Sequence, residues 1–149
     1  MARRIVANNL LLDEASEFVA EGREVCVPTK GNSMLPFIVG GRDTVVLSRA
    51  RRVDVGDILL VKINGHYIIH RVRAIVGSHI TLMGDGNVRG CEQCTFADVR
   101  AKVITINHNG KAVDCSTSGF RFQSKLWRML LPLRRYILGV WRRTPFWPC

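Results

Sequence analysis

Residues 56–76 read GDILLVKINGHYIIHRVRAIV, and the fold turns on how this stretch is laid out. Two runs rich in apolar and β-branched residues flank Asn64-Gly65. That dipeptide suits a two-residue hairpin turn, because both central positions take φ > 0. Working outward, a third run, HITLM (79–83), follows Gly77-Ser78 and ends at Gly84-Asp85-Gly86-Asn87. AKVITI (101–106) and KAVDC (111–115) are joined through His108-Asn109-Gly110, a further hairpin signal. From Val25 onward the chain consists of short β-like runs separated by Gly, Asn and Asp. Such spacing predicts an antiparallel β domain rather than alternating βαβ units.

Helical patterns flank this domain on both sides. Over 8–21, Leu11, Ala15, Phe18 and Val19 recur at helical spacing between acidic residues, and Gly22 would stop the helix. From about Phe120 to Trp141, Leu126, Met129, Leu130, Leu133, Ile137, Val140 and Trp141 fall near one face, with arginines mostly outside the stripe. Pro132 should kink or divide this segment, and Pro145-Phe146-Trp147-Pro148 cannot continue it. The expected organisation is a helix and lead-in over 1–24, a β domain over 25–118, and a basic amphipathic tail over 119–149.

The formal net charge is +10 over 149 residues. No acidic residue follows Asp114, whereas seven Lys and Arg residues do, so the excess sits in the tail. Charge placed this way suits an anionic surface, either phospholipid or nucleic acid. An amphipathic helix with arginines around an apolar stripe fits a membrane interface, with Trp141 at headgroup level. The same stripe equally fits packing on the β domain. No nucleic-acid recognition motif accompanies it, so no specific nucleic-acid partner is expected.

The N-terminus does not read as a secretory signal, since Asp13 and Glu14 interrupt the apolar run Leu10–Leu12. No stretch is long and apolar enough for a spanning helix. Five cysteines in such a chain point to reduced thiols and a cytoplasmic or inner-face location. Cys91 and Cys94 form a lone C-x-x-C without a second ligand pair at suitable spacing, so loop cysteines are expected and no metal or cofactor. The arginines at 49, 51 and 52 read as a solvated turn.

Three groups carry potential chemistry. Ser33 lies in Gly31-Asn32-Ser33-Met34-Leu35-Pro36, a turn stiffened by Pro36 that can expose a hydroxyl and a backbone amide. Taken alone, it better fits a turn serine bonded to its own backbone. Alternation in the second hairpin strand sets His66, Ile68, His70 and Val72 on one face. His70 is then a base near neutral pH or a satisfied core histidine. Asp85, between glycines, fits either a β-turn or a carboxylate that orients the imidazole.

Ser33-Met34-Leu35-Pro36, Gly56-Asp57-Ile58, His70-Arg71-Val72 and Gly84-Asp85-Gly86-Asn87 occur in the order found in signal peptidases and their relatives, the self-cleaving repressors among them. The resemblance spans residues 28–106. It is closest to the histidine-base branch of the endoplasmic-reticulum and archaeal enzymes, because the position that carries lysine in the common bacterial branch holds His70. Lys62 lies on the preceding strand. The resemblance implies a coiled antiparallel β fold and a serine endopeptidase acting on a leader or signal-like peptide. It implies Ser33 as nucleophile, His70 as base, Asp85 as acid and the Ser33 amide in the oxyanion hole. The chain departs from the family at three points. A second aspartate of the histidine branch is replaced by Cys91, with Glu92 beside it; the N-terminal anchor is absent; and the basic tail has no counterpart. The other reading is an inactive module of the same fold that binds a peptide or partner without cutting it.

Overall fold

Asn64 and Gly65 take φ of 51° and 78°, joining β3 (Ile58–Ile63) to β4 (His66–Val76) in a register where Leu59 faces His70 and Ile63 faces His66. This computed structural model describes residues 2–31, 33–87 and 90–142. The 143–149 segment, with the expected Pro-Phe-Trp-Pro ending, lies outside the described residues, as does the side chain of Trp141. Helix α1 (Ala2–Ala20) opens the chain and starts earlier than the spacing over 8–21 predicts. It ends where Gly22, at φ 92°, lets its amide and that of Arg23 bond back to the carbonyls of Val19 and Phe18; a left-handed glycine closes helices in this way.

The other strands are β1 (Val25–Pro28), β2 (Thr44–Ser48), β5 (His79–Met83), β6 (Glu92–Thr95), β7 (Val99–His108) and β8 (Lys111–Asp114). They form one antiparallel sheet in the order β1-β2-β7-β3-β4-β5-β6, with β8 paired to β7. The mainly β fold with helices at both ends agrees with the reading of the sequence. Register shifts at Val46/Leu47, Leu60/Val61 and Val72/Ala74 coil the sheet, as bulges do. Ile58, Leu59, Leu60 and Val61 are all buried, so β3 is an unbroken apolar run with a core on each face. Ile58 and Leu60 pack with Ala15 and Val19 of α1. Leu59 and Val61 pack with Val72, Ile80, Leu82 and Cys94. Each such side chain contributes roughly 1.5–3 kcal/mol relative to exposure.

The tail divides at Pro132, as expected. Helix α2 (Ser118–Met129) and helix α3 (Arg134–Arg142) are separated by a single 3-10 turn over Leu131–Leu133. Thr117 caps α2 by accepting from the Phe120 amide. The face that packs is not the apolar stripe. Phe120, Ser124, Trp127, Arg134 and Leu138 are buried, whereas Phe122, Leu126, Met129, Leu133, Ile137 and Val140 remain exposed.

Candidate active site

Ser33 sits on a loop whose two legs run back to back. The Gly41 amide donates to the Thr29 carbonyl, and Thr29 donates through both its amide and hydroxyl to the Asp43 carbonyl. A Cβ on Gly40 would stand 2.0 Å from the Gly31 carbonyl oxygen, so only glycine permits this approach. At the base of the loop, buried Asp43 accepts from the Val39 amide at 2.8 Å and from Arg42 Nε at 2.8 Å, and contacts His108 Nδ1 at 2.7 Å. Burial pushes the Asp43 carboxyl up, but Arg42, the Val39 amide and His108 outweigh it and hold the carboxyl below its ordinary range. Met34, Leu35, Ile38 and Val39 are buried behind the loop, and the Leu35-Pro36 bond is cis.

The Gly84–Asn87 loop closes over this turn. The Gly86 amide donates to the Ser33 carbonyl at 2.8 Å. A Cβ on Gly84 would lie 2.3 Å from that same carbonyl oxygen and 3.1 Å from Nε2 of His70. The Ser33 carbonyl and the outer nitrogen of His70 therefore both border the bare Cα of Gly84. His70 is 6% exposed, and its Nδ1 donates to Oε2 of Glu92 at 3.0 Å. With that proton assigned to Nδ1, Nε2 is the acceptor facing the Ser33 turn.

The expectation that Asp85 orients His70 is corrected here. Both Asp85 oxygens are taken by Arg71, Nε to Oδ1 at 2.8 Å and Nη2 to Oδ2 at 2.7 Å, and Arg71 and Asp85 are 2% and 1% exposed. Strand parity supplies the reason. Val72, Leu82 and Glu92 are directly opposed across β4, β5 and β6, so they share one face, and His70 shares it two residues from Val72. Arg71 opposes Met83 on the other face, and Asp85 continues from Met83 on that side. The sequence pointed to Glu92 only as the neighbour of the Cys91 position. Its role depends on a register set across three strands.

Lys62 is absent from the site. Its Nζ donates to Oδ1 of Asp13 at 3.1 Å, and Asp13 also accepts from the Tyr67 hydroxyl. The hydrogen bond to Asp13 raises the Lys62 pKa first and the charges of Tyr67 and Asp13 add to it, so Lys62 stays protonated and engaged with α1.

The C-terminal helices hold the glycine loop from behind. Nε1 of Trp127 donates to the Asp85 carbonyl at 2.8 Å. Nη1 of Arg134 donates to the carbonyls of Gly84 at 3.3 Å and Asn87 at 3.1 Å. Arg71 reaches the Gly56 carbonyl at 2.8 Å and lies over the rings of Phe37 and Phe120. No sequence motif marked Trp127 or Arg134; a buried arginine on a basic tail reads as solvated until its carbonyl partners are seen.

In front of Ser33 and His70 lies a cavity of about 690 Å³, walled by Leu11 and Leu12 of α1, the 28–31 segment, Met34, and Tyr67–Ile69 of β4. It is mostly apolar and open on one side. The Peptidase S24-like family profile matches residues 6–105, a span that takes in Ser33, His70 and the glycine loop. The chain belongs to the Peptidase S24-like family. No curated protein matches it. The matched span includes the serine turn, β4 and the glycine loop. Among the described residues no helix is long and apolar enough to cross a membrane, and no group of His, Cys, Asp and Glu is placed to hold a metal. Cys91 is exposed and Cys94 is buried on β6.

Proposed function

We propose that this S24-like protein is a serine endopeptidase of the histidine-base type, cutting a leader or signal-like peptide. The observation that carries the reading is the position of His70, with Nε2 beside the Ser33 turn at Gly84 and Nδ1 bonded to Glu92. Nε2 removes the Ser33 hydroxyl proton as the oxygen attacks the scissile carbonyl. Glu92 keeps the ring in the tautomer with a free Nε2 and stabilises the imidazolium that results. The imidazolium returns the proton to the leaving amine, leaving an acyl-serine. Water, deprotonated by His70, then releases the acid and restores the hydroxyl. The Ser33 amide serves the oxyanion. The substrate lies extended along the cavity, its side chains meeting Leu12, Met34 and Ile69, with backbone hydrogen bonds to the neighbouring strands.

The test is mass spectrometry of a peptide library incubated with the parent chain, Ser33→Ala and His70→Ala. Products formed by the parent and by neither variant support the reading and define the cleavage rule. Cleavage retained in Ser33→Ala would remove it. A co-purifying peptide that stays bound and uncut by the parent would replace it with the binding-module reading.

A further inference from the structure

A second cavity, of about 720 Å³, shares no lining residue with the cavity before Ser33 and is rimmed by Arg49, Arg51, Arg52, Lys102, Arg121 and Arg128. Three carboxylates also border it, Glu24, Asp57 and Asp114. Asp57 is committed to Lys102 at 3.1 Å, to Arg121 at 3.6 Å and to the Asp54 amide at 2.7 Å. Asp114 accepts from the amide and hydroxyl of Ser116, and Arg52 pairs outside the cavity with Asp54. Arg49, Arg51 and Arg128 have no carboxylate partner among the described residues. The Arg128 guanidinium lies on Gly56, 3.4 Å from where a Cβ would be. Burial, the largest effect, and the nearby Arg71 both disfavour its charge. Its Nε and the hydroxyl of buried Ser124, both on this wall, find no hydrogen-bond partner among the described residues. A cavity with surplus cations and unsatisfied polar atoms suits an anion of phosphate type.

One helix connects this cavity to a second feature. Arg121, Ser124 and Arg128 of α2 line the cavity, whereas Phe122, Leu126 and Met129, at helical spacing on a neighbouring face, are 67%, 47% and 70% exposed. Beyond the 3-10 turn Leu133, Ile137 and Val140 are exposed too. Packing with Trp127 and Arg134 inward fixes this outer stripe in solvent. Apolar side chains beside unpaired arginines are the combination that enters a headgroup layer.

We infer that the chain docks on an anionic bilayer through α2, with a headgroup phosphate in the arginine cavity and Phe122, Leu126 and Met129 in the interface. The inference is independent of the peptidase reading, because Ser33 faces the other cavity. It is tested by flotation of the full chain with vesicles of phosphatidylcholine alone, or with a quarter of the lipid replaced by phosphatidylglycerol. The parent chain should float with the mixed vesicles and not with phosphatidylcholine alone. Arg51→Gln/Arg52→Gln and Phe122→Ser/Met129→Ser, all at exposed positions, should each weaken binding roughly tenfold or more, and Ser33→Ala should bind as the parent does. Arg128→Gln, checked for unchanged near-ultraviolet circular dichroism, should behave like the arginine pair. Equal flotation with neutral vesicles, or either double variant binding like the parent, would overturn the inference. Millimolar inorganic phosphate should weaken flotation more than chloride of equal ionic strength, because it competes for the cavity; inorganic phosphate bound by a parent chain that floats with neither vesicle would assign the cavity to a soluble anion and overturn the inference. A concentration-dependent dimer abolished by Phe122→Ser/Met129→Ser would give the stripe to a second copy instead.

Discussion

Glu92→Gln leaves the size of the side chain that meets Nδ1 of His70 unchanged but removes its charge. Turnover should fall steeply, because the side chain no longer brings a negative charge to the imidazolium formed during attack. Asp85→Asn should act on a different quantity. It leaves the buried Arg71 guanidinium without its counter-charge, which typically costs about 3–5 kcal/mol. A large drop in Tm, with kcat well below the melting range near that of the parent, is therefore expected for Asp85→Asn, and an unmoved Tm with a steep loss of kcat for Glu92→Gln. Thermal melts, and kcat measured well below Tm, distinguish the roles; a steep loss of kcat in folded Asp85→Asn would restore it as the orienting acid. Gly84 was legible as a glycine position because the Ser33 carbonyl and Nε2 of His70 leave no room there for a Cβ. The destination of the carboxylate itself was not, since parity across β4 and β5 sends it to Arg71.

At the level of elements, the hairpin with its Asn-Gly turn and the strands around Gly77 and Gly110 can be read directly from turn chemistry, which is local. The packing face of α2 and α3 cannot. Periodicity marks an apolar stripe, but Phe120 and Trp127 bury more area and Arg134 brings donors to three carbonyls, so the helices turn that side inward. This arrangement makes the tail a brace for the glycine loop. Trp127→Phe keeps the ring against Phe37 and loses only the bond to the Asp85 carbonyl, a change of about 1–3 kcal/mol. Peptide cleavage in detergent-free solution should slow with KM little changed, and Arg134→Gln should do the same. Membrane flotation by Trp127→Phe should match the parent, which separates bracing from docking. If kcat stays at the parent value in both variants, the helices serve only to cover the core.

For the molecule as a whole, α1 both seals one core and walls the cavity before Ser33, so substrate access depends on how firmly it is held. Ala15 and Val19 are its buried anchors; near Leu11 and Leu12 the link is Asp13, bonded to Tyr67 and Lys62 of the β3–β4 hairpin. The hydrogen bond from Tyr67, then that from Lys62, holds the Asp13 carboxyl below its ordinary 3.8. A carboxyl depressed in the folded state stabilises it above the unfolded value and ceases to do so as pH falls through the folded one. The tether is therefore complete at neutral pH and lost only below about pH 4. Protection of the α1 amides from hydrogen exchange, taken relative to the intrinsic rate at each pH, should fall across that acid window in the parent. In Asp13→Asn protection should already be low at neutral pH and fall no further in acid. The same variant should raise KM for an extended peptide several-fold with kcat preserved, because Ser33, His70 and Glu92 are carried by the 29–43 loop, β4 and β6 rather than by α1. A fall in kcat at constant KM would mean instead that α1 positions the catalytic strand through Tyr67, and that its wall of the cavity does not meet the substrate.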